Sequence, residues 1–152
     1  MKLTDFLKPE HCVMDLVSRD KESAIRELVS VFSAPEQVTD RDDFIKHLME
    51  REQLGSTGIG NRVAIPHAPT RSVEGLVFAF GRSRLGLDFQ SIDGEEVNMV
   101  FLLGTNPGDL TTYLKFLATL SKLLNIRQFR QDFLDAETAG AIIEVLRKYE
   151  KN

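Results

Sequence analysis

The stretch Arg51-Glu52-Gln53-Leu54-Gly55-Ser56-Thr57-Gly58-Ile59-Gly60-Asn61-Arg62-Val63-Ala64-Ile65-Pro66-His67 runs from the end of an apolar-striped helix into a short apolar strand. Three glycines within six residues, Gly55, Gly58 and Gly60, form the joint. Helical and extended periods that alternate in this way mark an α/β chain.

Working outward, the pattern continues in both directions. Upstream, Phe44, Ile45, Leu48 and Met49 form one stripe of a helix over 40–53. Thr39-Asp40-Arg41-Asp42 reads as a capping box with Asp in place of Glu, and Gly55 punctuates the far end. Ala24, Ile25, Leu28, Val29 and Phe32 predict a helix over 21–33, capped by Asp20 or Ser18 and ended by Pro35. A short helix over 3–8 and a short strand, His11-Cys12-Val13-Met14, open the chain.

Downstream, Leu76–Phe80 and Val97–Leu103 read as core strands. Asp93-Gly94 is a turn signal between them, with Leu87–Phe89 as a short hairpin arm. The strongest helix spans 109–124, with Leu110, Tyr113, Leu114, Leu117, Leu120, Ser121 and Leu124 on one face. Helices over 126–134 and 136–149 follow. No repeat or linker interrupts the pattern, so one α/β domain is expected over 1–152.

Composition narrows the function classes. The chain has 152 residues, 42% hydrophobic and 28% charged, a globular balance. Nineteen Lys and Arg against twenty-three Asp and Glu leave a net charge of −4, which disfavours general nucleic-acid binding. Cys12 is the sole cysteine, so neither an internal disulfide nor a multi-cysteine zinc site is available. No apolar run approaches the roughly 20 residues of a membrane span. The opening Met1-Lys2-Leu3-Thr4-Asp5 lacks the apolar core of a secretory signal, so a cytoplasmic protein without direct membrane insertion is expected.

Chemistry concentrates at the glycine joint. It is no Walker loop, because no Lys-Ser or Lys-Thr follows the glycines. It follows a helix and precedes a strand, the reverse of a dinucleotide fingerprint and of a nucleophile elbow. Two readings are open: a tight helix-to-strand turn, or an anion cradle of converging N–H groups aided by the Ser56 and Thr57 hydroxyls. His67 follows at the end of the strand, fixed by Pro66, and a neutral imidazole there could act as a nucleophile. His11 and His47 read as structural or surface histidines. Arg51, in the last helical turn, either complements the helix dipole or aims its guanidinium across the glycines at an anion near His67.

The 17-residue block from Arg51 to His67 resembles the active-site motif of the fructose/mannitol-type IIA proteins of the bacterial phosphoenolpyruvate-dependent phosphotransferase system. The resemblance extends over nearly the whole chain and is nearest to the nitrogen-regulatory branch. It implies a mixed β-sheet flanked by helices on both faces. It also implies that His67 accepts a phosphoryl group from a phosphohistidine on an HPr-type carrier. Arg51 matches the arginine that steadies the phosphoryl oxygens, and Ser56 and Thr57 match the motif's hydroxyl pair. No nucleotide, other cofactor or metal is implied. The onward partners are regulatory target proteins or, alternatively, a sugar transporter's IIB domain.

Two positions depart from the family pattern. Asn61-Arg62 stands where a glycine is usual, bringing a second cation into the joint. Tyr113 stands where a second histidine usually supports the phosphorylated one. A phenol donates a hydrogen bond but supplies no cation, and it is equally a good core residue. The leading expectation is a phosphocarrier of regulatory type. A sugar-specific IIA protein and an interaction module that no longer carries phosphate are the alternatives.

Overall fold

Phe78, Phe80, Phe101 and Leu103 alternate with Val77, Ala79, Val100 and Leu102 along two long strands, and each set feeds a separate core. This period-2 pattern gives a sheet buried on both faces. The computed structural model describes residues 1–33 and 35–150, so Lys151 and Asn152, the last two positions of the expected domain, lie outside the described residues.

The two strands, β5 (Leu76–Leu87) and β6 (Val97–Thr105), pair antiparallel from Leu76↔Thr105 to Leu87↔Val97. Short strands complete a six-stranded sheet. β1 (Cys12–Val13) lies parallel to β5, while β3 (Val63–Ala64) and β4 (His67–Pro69) run parallel to β6 one after the other. β2 (Gly58–Gly60) pairs antiparallel with β3 at the edge. The mixed sheet expected from the sequence is therefore present.

Helices cover both faces. α1 (Lys21–Val29) and α2 (Arg41–Gln53) pack on the Val77/Val100 side, with Phe44 and Leu48 fully buried. α3 (Leu110–Leu124), α4 (Arg127–Asp135) and α5 (Ala139–Tyr149) cover the phenylalanine side. There Phe78 meets Phe116 edge-on at 4.9 Å, and Phe80 meets Phe133 edge-on at 5.2 Å. Gly104 sets the approach of α2, because a Cβ there would run into the Phe44 ring. Arg82 is buried on the phenylalanine side. Its Nε donates to Met14 O and its Nη1 to the carbonyls of Phe133, Leu134 and Ala136, tying β5 to the end of α4.

Several expected boundaries differ. The helix expected over 21–33 ends at Val29, where Ser30 Oγ donates to Glu27 O at 2.6 Å and competes with the helical ladder. Asp40, not Thr39, caps α2, accepting from Asp43 N. The opening helix is two 3-10 turns, Leu3–Asp5 and Pro9–His11, so His11 precedes the first strand instead of lying in it. β5 continues past Phe80 and absorbs Leu87. In α3 the buried stripe is rotated: Leu110 and Leu114 are 45% and 63% exposed, while Phe116 and Leu123 are buried. The apolar residues of that helix spread wider than one stripe, and the sheet selects the face carrying the larger ring.

Candidate active site

The site forms where the edge of the sheet meets the end of α2 and the first turn of α3. Arg51 lies in the last turn of α2, and its Nη1 donates to Gly55 O at 2.9 Å. Gly55 has φ +148°, a conformation that side chains resist, so the chain reverses there without strain. The guanidinium thus braces the joint while its remaining donors stay free of protein acceptors among the described residues.

Beneath the joint lies a buried ionic knot. Glu52 Oε1 accepts from Thr57 N at 3.0 Å and pairs with Lys21 Nζ at 3.0 Å, while Oε2 accepts from the Thr57 hydroxyl. Both charged side chains are buried, and the Lys21 ammonium sits 5.1 Å from the centre of the Phe89 ring. Ser56 Oγ donates to Phe89 O and accepts from Gly58 N. The hydroxyls of Ser56 and Thr57 are therefore engaged in holding the loop. Sequence reasoning missed Glu52 and Lys21. One signal was present: Glu52 continues the Ile45–Leu48 stripe at helical spacing, so the pattern already put a carboxylate on the buried face.

Beyond Gly58 the joint is a hairpin rather than a single turn. Gly60 pairs with Val63, and Asn61 and Arg62 between them have φ 55° and 62°, the two-residue geometry that usually selects Asn-Gly. Arg62 turns away from the histidine: its Nε donates to Asn98 Oδ1 and its Nη1 lies 3.6 Å from Glu95 Oε2. Arg62 therefore does not add a second cation beside His67. Val63 pairs with Met99 and His67 with Leu103, four residues further along β6, about 13 Å at strand spacing.

His67 opens β4 instead of closing β3, because Pro66 breaks the edge strand between them. Its Nδ1 lies 2.6 Å from Ile65 O. A carbonyl only accepts, so Nδ1 carries the proton and Nε2 keeps its lone pair. Burial lowers the His67 pKa from its usual range and the Arg51 charge lowers it further, against the opposing pull of the Ile65 carbonyl and Glu52. The imidazole is neutral at pH 7.

Tyr113, in the first turn of α3, faces it. The two rings are 6.1 Å apart between centroids, inclined at 51°. The phenol oxygen is buried and has no hydrogen-bond partner among the described residues, and burial raises its pKa. Arg51 lies close enough to perturb both Tyr113 and His67 electrostatically. The His67 imidazole, the Arg51 guanidinium and the Tyr113 phenol thus lie near one another. His47 stands apart, its Nδ1 on Asp43 O within α2, and His11 is buried against Phe32. Among the described residues no group of three or more His, Cys, Asp or Glu side chains is disposed to hold a metal ion, and no helix is long and apolar enough to cross a membrane.

Residues 5–149 match the family model described as phosphoenolpyruvate-dependent sugar phosphotransferase system, EIIA 2. The chain belongs to this family. Its relatives include both sugar-specific components and nitrogen regulatory proteins. The fructose-specific EIIABC component of Bacillus subtilis is 37% identical over 99% of this chain, which spans only 24% of that protein's length. The nitrogen regulatory protein of Bradyrhizobium diazoefficiens is 34% identical over 96% of this chain and 95% of that one. Among solved structures, nitrogen regulatory protein IIA-Ntr from Neisseria meningitidis superposes with a TM-score of 0.88 at 27% identity, covering 95% of this chain and 98% of that one. Mannitol IIA of Escherichia coli, solved with phosphorylated mannitol IIB, shares the fold with a TM-score of 0.78 at 17% identity over 93% and 97% of the two chains. A phosphoryl-carrier role accords with the EIIA type 2 fold and with the convergent donors around His67.

Proposed function

We propose that this chain is a cytoplasmic phosphocarrier that accepts a phosphoryl group on Nε2 of His67 from the phosphohistidine of an HPr-type protein. The observation that carries this reading is the Nδ1 contact with Ile65 O, which leaves Nε2 as the free nucleophile. In the transfer, the P–N bond to the donor histidine breaks as the bond to Nε2 forms, and no proton need move. The positive charge that develops on the ring is shared through Nδ1–H with the Ile65 carbonyl. Arg51 meets the phosphoryl oxygens, and the Tyr113 hydroxyl donates to one of them. Ser56 and Thr57 act by holding the joint's shape, since their hydroxyls are engaged with Phe89 O and Glu52.

The phosphorylation state is then read by regulatory partners, in keeping with the likeness to nitrogen regulatory proteins. The identity to a fructose-specific component supports a second reading, in which the phosphoryl group passes to a transporter's IIB domain. Incubation with phosphoenolpyruvate and the general phosphotransferase proteins should give one acid-labile phosphate per chain, absent in His67→Ala. Equal labelling of His67→Ala would sink the assignment. Chase of the labelled protein with a fructose-type IIB domain separates the two readings: rapid loss of label favours the transporter, and retention favours regulation.

A further inference from the structure

Arg82, away from His67, is one of the few charged side chains buried in this fold. This side chain is 2% exposed, and every hydrogen-bond partner it has is a neutral carbonyl: Met14, Phe133, Leu134 and Ala136. Among the described residues no carboxylate lies within ion-pair distance of it, and Asp15, which attracts it from further off, is itself paired with Arg84. Such a charge is costly unless something neutralises it. Its Nη2 has no acceptor among the described residues, yet it is not among the unpartnered atoms sealed from solvent. It opens onto a cavity of about 270 Å3 lined by Arg82, Ser83, Arg84, Asn98 and Leu134.

The lining fits one chemistry. Ser83 is buried, and its hydroxyl is likewise unpartnered among the described residues without being sealed. Arg84 has its Nε 3.3 Å from Asp15 Oδ1, an exposed pair that leaves the rest of the guanidinium available. Asn98 forms a fixed wall, its Nδ2 donating to Ser83 O at 2.8 Å and its Oδ1 accepting from Arg62 Nε. The lining is rich in unspent donors, and two groups are planar guanidinium forks suited to oxyanions. The volume falls just below the range of about 300–1,000 Å3 typical of larger ligands.

We propose that this cavity binds a small oxyanion, the phosphate or carboxylate group of a small metabolite, through the guanidinium groups of Arg82 and Arg84. The anion completes the charge balance of Arg82 and so secures the β5–α4 junction that Arg82 holds. The site is separate from the phosphoryl site: Arg82 pairs with Met99 and His67 with Leu103, about 13 Å apart along β6 at strand spacing.

The test is titration of the full unphosphorylated chain with inorganic phosphate and, separately, with succinate, following backbone amide shifts by NMR. Saturable shifts at Ser83, Arg84, Asn98 and Leu134 are expected, unchanged in His67→Ala. Arg84→Ala and Ser83→Ala keep the Arg82 contacts with α4, and Arg84→Ala should weaken binding about tenfold, the worth of one charged hydrogen bond. A response to phosphate alone assigns the site to phosphate esters, and one to succinate alone to carboxylates. Shifts confined to the surroundings of His67, no saturation with either anion, or full affinity in both variants would overturn the proposal.

Discussion

The hydroxyl of Tyr113 is buried beside His67, 6.1 Å between ring centroids, and has no hydrogen-bond partner among the described residues. A buried donor left unmatched costs free energy in the resting protein. On the proposed role it would gain its acceptor with the phosphoryl group, so the unphosphorylated state is the penalised one.

Tyr113→Phe should therefore leave thermal stability unchanged or slightly raised, while slowing transfer to His67 by about ten- to a hundredfold, the worth of one hydrogen bond to a charged group. Tyr113→His should restore transfer. Stopped-time labelling with a phosphorylated HPr-type donor, alongside calorimetry, separates the two effects. A Phe variant that loses stability but not rate would make Tyr113 a core residue only.

The pH dependence follows from burial of two histidines. His67 and His11 both have pKa values lowered chiefly by desolvation, so below about pH 6.5 the unfolded chain binds protons that the native chain refuses. Stability should be level above that pH and fall progressively as the pH drops beneath it. Phosphoryl acceptance should fall off at a lower pH than for an ordinary imidazole, because burial lowers the His67 pKa. Denaturant unfolding and labelling rates between pH 5 and 8 check both statements.

Glu52→Gln should destabilise the chain by about 3 kcal/mol, because it leaves Lys21 buried without its partner. Lys21→Met combined with Glu52→Gln should recover much of that loss, since no unpaired charge remains. Urea unfolding of the two single variants and the double variant measures the coupling. Additive single effects would mean that the pair is not the source of the cost.

Arg62→Gly should stabilise the hairpin by about 1 kcal/mol, because it removes the strain of a left-handed non-glycine residue. The exposed pairing with Glu95 that it sacrifices is worth little. Labelling of His67 should be unaffected, since the arginine points away from the site. A slower labelling rate would show that its charge acts on His67 after all.

The α/β order and the two core strands were legible because each rests on local periodicity, and the family because its motif from Arg51 to His67 is contiguous in the chain. Other features depend on who meets whom across the sheet. Arg62 looked like a site cation because it is near His67 in sequence, yet strand geometry carries it to Asn98 and Glu95. The expected α3 stripe took in Leu110 and Leu114 beside the buried Tyr113, Leu120 and Leu124, because they match the helical period as well as Phe116 and Leu123 do. Arg82 gave no signal at all: a charged residue in a strand reads as exposed until the end of α4 closes over it.

Gly104 admits Phe44 on one face of the sheet, whereas Tyr113 and Phe116 settle on the other. Arg51 comes with the first layer and Tyr113 with the second, and His67 lies where the two meet. Neither layer owns the site. On the proposed role, a chain with only one layer docked offers a donor protein half a constellation, so competence to take up phosphate would double as a proof of assembly. Label on His67 would report that both halves of the molecule have met.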